Sequence, residues 1–243
     1  MTLSALFQAV CWLLPPSGAK NRLLRLFGHQ VAPSAVIFPT VVWKVGRFEI
    51  ADEVHIGLLN VFRGLSLVVF EHGAAAGSWN WTSAHPVYQT LDPQAGTLVM
   101  RTWSKIGSRN YLDCSGTIDV GPFSHIGGVR CLLQTHQPDF VNSRQTVGRI
   151  TVGHHSQVAS NAMMIKGAHL PETSLLAAGS TMLPPKGNEL KPGLYAGTPA
   201  VWRRATTGKW FERDVEWMHE HVIEGPMGRS PDGARQAKPL DRP

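Results

Sequence analysis

The sequence predicts an all-β protein, a single-stranded parallel β-helix with a helical segment at each end. Three observations carry that prediction. Large apolar residues recur every six places, at Val152, Val158, Met164, Leu170, Leu176 and Met182. Small residues follow four places after the first five of them, at Ser156, Ala162, Ala168, Ser174 and Ser180. The chain is also rich in turn formers, with 24 Gly and 17 Pro in 243 residues, while only 16% of residues are charged. By composition the eleven matches have odds of about one in 10⁵, or roughly one in several hundred once register is chosen freely. A six-residue period fits neither a 3.6-residue helix nor an unbroken strand. It fits short strands joined by tight corners, three faces closing a triangular coil of about eighteen residues with the aliphatic side chains inward.

Residues 1–30 form the N-terminal helical segment. Leu3 to Leu14 is apolar but too short to span a bilayer. It lacks the preceding positive flank and the small-residue cleavage site of a signal peptide, and its basic neighbours Lys20, Arg22 and Arg25 come afterwards. Such a stretch either makes weak peripheral contact with a membrane through residues 3–14 or packs as a capping helix.

Residues 31–205 carry the repeat. Ile50 and Ile56 begin it, Ile106 and Leu112 continue it with Asn110 and Gly116 at small positions, and Val120, Ile126 and Leu132 follow with Ser124. Ile56-Gly57, Ile106-Gly107, Val120-Gly121, Ile126-Gly127 and Val152-Gly153 share an aliphatic-Gly signature. Two stretches depart from the period, Ser83 to Met100 and His136 to Arg149, and both read as corners that swell into surface loops. In residues 206–243, Lys209 to Val222 has helical character, with Trp210, Phe211, Val215, Trp217, Met218 and Val222 partly at three- and four-residue spacing. Beyond Gly225 the Pro, Gly and charge mixture reads as disordered.

The basic excess behind the net charge of +6 sits in the first third (Lys20, Arg22, Arg25, Lys44, Arg47) and in the repeat body, and suits attraction of an anionic ligand such as a nucleotide phosphate or acidic headgroups. No basic run is interleaved with aromatics, so no nucleic-acid partner is expected. Cys11, Cys114 and Cys131 have neither metal-ligand spacing nor an even count. They point to a reducing, cytoplasmic location, at most at the inner face of the membrane.

Thr135-His136-Gln137-Pro138, Ile150-Thr151-Val152-Gly153, Ala177-Ala178-Gly179-Ser180 and Tyr195-Ala196-Gly197-Thr198-Pro199-Ala200 are the most distinctive pieces. In order and spacing they resemble the hexapeptide-repeat acyltransferases, over residues 31–205 and most closely over 105–205. The last piece resembles the closing motif of sugar O-acetyltransferases. The resemblance implies a left-handed β-helix, a homotrimer, acetyl-CoA or another acyl-CoA as co-substrate, and a sugar or surface-polysaccharide precursor as acceptor.

It also implies site residues. His136 matches the histidine that takes the acceptor's hydroxyl proton, a role suited to a side chain that titrates near neutrality. Asp113 stands near a position that carries an acceptor-binding amide, so it either orients His136, contacts acceptor, or bonds its own backbone at a corner. Asn161, Ala178 and Arg204 match donor contacts, and Lys186 adds charge beside them. Val158-Ala159-Ser160 replaces the family's usual Trp-Ile-Gly, and Val201 stands where a second basic residue is common. Two rivals use the same fold. A zinc enzyme needs three converging histidines, two about five residues apart; no pair among the eleven has that spacing, so no metal is expected. A non-catalytic scaffold would use the repeat only as a rigid prism.

Overall fold

The structure, a computed structural model, describes residues 3–185, 187 and 190–214. It is a single-stranded left-handed parallel β-helix with three faces. Sheet 1 stacks seven parallel strands, from Gln30–Val31 to His169–Leu170. Sheet 2 stacks eight parallel strands, from Val36–Ile37 to Leu194–Gly197, and is closed by a ninth, Ala200–Arg204, running antiparallel. Sheet 3 stacks seven, from Val41–Trp43 to Thr181–Met182. The chain visits sheets 1, 2 and 3 in turn, so each strand pairs with strands one coil before and after it.

The six-residue period is the inward row. Val152, Val158, Met164, Leu170, Leu176 and Met182 are all buried, as are the five small residues at the corners. Those small residues also satisfy backbone groups that burial would otherwise leave unpaired. Ser124 Oγ accepts from Ser156 N at 3.0 Å, Ser156 Oγ from Ser174 N at 3.0 Å, and Ser174 Oγ from Gly193 N at 2.9 Å. A second ladder runs along the corner between sheets 2 and 3. There Asn60 Oδ1 accepts from Asn80 N at 3.0 Å, Asn80 Oδ1 from Asn110 N at 2.9 Å, and Asn110 Oδ1 from Cys131 N at 2.9 Å.

The coil is not uniform. Val152 pairs with Leu170, giving the expected eighteen residues, whereas Ile50 pairs with Phe70 and Met100 with Val120, giving twenty. In the longer coils sheet 1 uses four-residue strands that each send two side chains inward, such as Phe48 with Ile50 and Leu98 with Met100. The expectation for Leu132 is corrected by one place. Leu133 fills the core between Leu112 and Met164 while Leu132 is half-buried, because the corner from Gly127 to Cys131 holds one extra residue.

Both excursions leave the end of sheet 3 and re-enter sheet 1. The first spans 84–96 and holds a 3₁₀ turn, Pro86–Thr90. Ser83 and Thr97–Met100, expected to lie in it, stay in the sheets, because Leu98 and Met100 fill the core and Thr97–Met100 pairs on both sides. The second, expected as a loop, is an antiparallel hairpin of His136–Asp139 with Arg144–Val147.

The N-terminal segment is two helices, α1 (Leu3–Trp12) and α2 (Gly18–Leu26), which plug the first coil. Ser17 caps α2 by accepting from Lys20 N at 3.2 Å. Trp12 is fully buried with its ring 4.5 Å from that of Phe48. At the other end, residues 206–214 run back along the corner between sheets 1 and 2, with Thr206 bonded to Thr173 and Arg213 to Phe123. Of the helix expected over Lys209–Val222, the described part is one 3₁₀ turn, Lys209–Phe211; the rest and the tail beyond Gly225 lie outside the described residues. Among the described residues no helix is long and apolar enough to cross a membrane.

Candidate active site

The strand Tyr111–Asp113 lies in sheet 3 between Trp81–Ser83 and Leu132–Gln134. Both neighbours open into excursions, whereas Cys114, Ser115 and Gly116 turn the corner directly into Thr117–Val120. Asp113 therefore sits between the roots of the two insertions. Its carboxylate is buried and heavily bonded. Oδ1 accepts from Ser115 Oγ at 2.6 Å and Ser115 N at 3.2 Å. Oδ2 accepts from Thr135 N at 3.0 Å, His136 N at 3.2 Å and His136 Nδ1 at 2.7 Å. Asp113 thus bonds both its own corner and the His136 ring.

With the Nδ1 proton directed at Asp113, the lone pair of His136 is on Nε2, which has no hydrogen-bond partner among the described residues. The His136 side chain is 36% exposed, so that lone pair is within reach of a ligand. The base of the hairpin is braced: Gln134 Nε2 donates to His136 O at 3.1 Å, Thr146 Oγ1 to Gln137 O at 2.9 Å, and Lys166 Nζ to Thr146 Oγ1 at 2.6 Å.

The first insertion supplies the opposite wall. Tyr88 is buried with its ring 6.1 Å from that of His136, and His85 N donates to Ser115 Oγ at 3.2 Å, which ties the insertion to Asp113's corner. Burial, then the negative charge of Asp113, pushes the Tyr88 hydroxyl pKa up, so it stays protonated. Nothing in the local sequence pattern marks Tyr88, because it becomes part of the site only when two insertions thirty-odd residues apart meet. Cys114, directly behind Asp113, is fully buried, and burial and Asp113 together raise its thiol well above the ordinary range. It is not suited to act as a nucleophile.

The residues expected to contact a donor lie elsewhere. Asn161 and Ala178 are exposed on successive coils at the corner between sheets 2 and 3, linked by Gly179 N to Ser160 O at 3.1 Å. Asn161 takes a left-handed conformation, φ 58°, that suits a tight corner and an asparagine. His136 stands on the corner between sheets 3 and 1, so one chain does not bring these groups together. Arg204 is exposed in the strand closing sheet 2, opposite Leu194. Lys186 lies outside the described residues. Among the described residues no group of three or more His, Cys, Asp or Glu could hold a metal ion.

No protein-family model matches the chain, and no curated protein matches it. Among solved structures it is similar to the crystal structure of the polySia specific acetyltransferase NeuO, at 16% identity and a TM-score of 0.29, over 69% of this chain and 87% of that one.

Proposed function

We propose that the chain is an acyl-CoA-dependent O-acyltransferase that moves an acyl group, acetyl in the simplest case, to a hydroxyl of a sugar or surface-polysaccharide precursor. The observation that carries this reading is the 2.7 Å contact between His136 Nδ1 and Asp113 Oδ2, between the two insertions. It leaves the Nε2 lone pair available to take the acceptor's proton. The acceptor hydroxyl gives its proton to Nε2 as its oxygen attacks the thioester carbonyl. The tetrahedral intermediate then expels the thiolate, which takes the proton back from the imidazolium. Asp113 holds the imidazole in one tautomer and offsets the transient positive charge.

The same reading takes the chain to be a homotrimer. The outward row of sheet 3 includes Val41, Trp81 and Tyr111, with the Trp81 and Tyr111 rings stacked at 6.2 Å. The outer face of sheet 1 carries Arg47, Glu49, Asp119 and Arg149 instead. If sheet 3 faces a threefold axis, the two corners bordering it meet between neighbours. His136 of one protomer then faces the Asn161–Ala178 corner of the next, where the acyl-CoA would lie.

The test is thiol release from acetyl-CoA and longer acyl-CoA thioesters across a panel of sugars and sugar nucleotides, with His136→Ala as the control. Acceptor-dependent release that disappears in the variant is expected. Absence of turnover with every thioester, or an undiminished rate in His136→Ala, refutes the proposal.

A further inference from the structure

The N-terminal cap carries a feature that the prism does not use. Trp12 and Cys11 turn inward, while Leu6, Phe7, Val10, Leu13 and Leu14 lie exposed on α1 and the turn after it, Phe7 at 56%. Their spacing gathers Leu6, Phe7, Val10 and Leu13 on one stripe of a helix. From Leu3 to Leu14 there is no charged residue. Leu26, at the end of α2, is also exposed. Soluble surfaces rarely leave an apolar stripe of this kind without a partner.

The stripe is held rigidly. Lys20 is fully buried, and its Nζ donates to Trp12 O and Leu14 O at 2.8 Å, to Ile37 O at 2.9 Å and to Phe38 O at 3.1 Å. One ammonium thus clamps the end of α1 to the first coil, with the exposed stripe left on the outside.

The charge around the stripe points to its occupant. Residues 1–48 contain five basic residues (Lys20, Arg22, Arg25, Lys44 and Arg47) and no acidic one. The rest of the chain holds eighteen basic against seventeen acidic, so nearly all of the +6 net charge belongs to this end. Lys20 is internal and Arg47 pairs with Glu49 at 3.2 Å, which leaves Arg22, Arg25 and Lys44 at the surface. Lys44 follows the strand Val41–Trp43 against which α1 packs. Two copies meeting cap to cap would oppose these positive ends, whereas an anionic surface would attract each of them.

We propose that α1 docks on an anionic bilayer surface, with Leu6, Phe7, Val10, Leu13 and Leu14 entering the headgroup–acyl boundary and Arg22, Arg25 and Lys44 meeting lipid phosphates. An apolar helical stripe with flanking basic residues is the pattern of an interfacial helix, and one short helix gives reversible attachment. This surface is separate from the His136–Asp113 pair, so the inference stands or falls apart from the acyl-transfer reading.

The test is co-sedimentation of the full chain with phosphatidylcholine vesicles and with mixed phosphatidylcholine–phosphatidylglycerol vesicles. Binding to the mixed vesicles that weakens at high salt is expected, since salt screens surface charge. A Leu6→Glu, Phe7→Glu, Val10→Glu variant should bind at least about tenfold less, because a charge in the apolar stripe opposes insertion. These side chains are exposed, so its circular dichroism and melting should match the parent. In Arg22→Glu with Lys44→Glu, the preference for the anionic vesicles should be lost. A folded protein that ignores both vesicles, or binds both equally, overturns the proposal. So does a triple variant that changes sedimentation of the vesicle-free protein, which would assign the stripe to a second copy.

Discussion

Asp113 accepts from Ser115, Thr135 and His136 together, and replacing it separates orienting the base from binding the acceptor. Asp113→Asn should lower kcat by about 10²–10⁴ with KM little changed, because an amide no longer selects the Nε2 lone pair. A rise in KM at constant kcat would instead mark acceptor contact. His136→Ala should lose about 10²–10⁴ in kcat while melting like the parent, since its ring is partly exposed. His29 supplies a pH dependence at the other end of the chain. Its Nδ1 accepts from Phe48 N at 3.3 Å, and burial holds its pKa below the ordinary 6.5. An unfolded chain binds that proton first, so the stability contributed is full above pH 6.5 and falls as pH drops toward the depressed value. Thermal melts should therefore show a falling midpoint below pH 6.5, with a shallower slope in His29→Gln. At this scale the sequence marks His136 by its neighbours. It leaves Asp113 among several roles and Tyr88 unmarked, because those contacts depend on where whole insertions land.

Single strands and corners explain why the repeat is plain after Val152 and blurred before it. From Met164 to Leu170 the step between sheets 3 and 1 is six residues, but from Phe62 to Phe70 and from Leu112 to Val120 it is eight. Each longer strand resets the period, and the extra residue between Gly127 and Cys131 shifts it again, which is how Leu132 is mistaken for Leu133. A six-residue pattern also reports that a corner residue is small without reporting that it bonds. Asn80 is buried, accepts from Asn110 N at 2.9 Å and donates to Asn60 Oδ1 at 2.9 Å. Asn80→Ala should cost about 1–3 kcal/mol by leaving the buried Asn110 N–H unpaired, measurable by denaturant unfolding. If packing alone mattered at that corner, the change would be near zero.

For the whole molecule, the proposed trimer predicts that assembly and turnover fail together. Trp81→Glu with Tyr111→Arg alters only outward side chains of sheet 3, so each prism should stay folded. Sedimentation velocity should show a monomer in place of the trimer, and thioester turnover should vanish although His136 and Asp113 are untouched. A monomeric variant with full turnover would confine the active site to one chain. The placement of the insertions has a consequence for diversification. Residues 84–96 and 135–148 leave and rejoin the coil at the same edge, and the parallel registers on either side continue across both gaps without a shift. Their length is thus decoupled from the packing that holds the prism. Under the proposed function, exchanging these two segments as cassettes alters which acceptor is admitted while the scaffold stays unchanged.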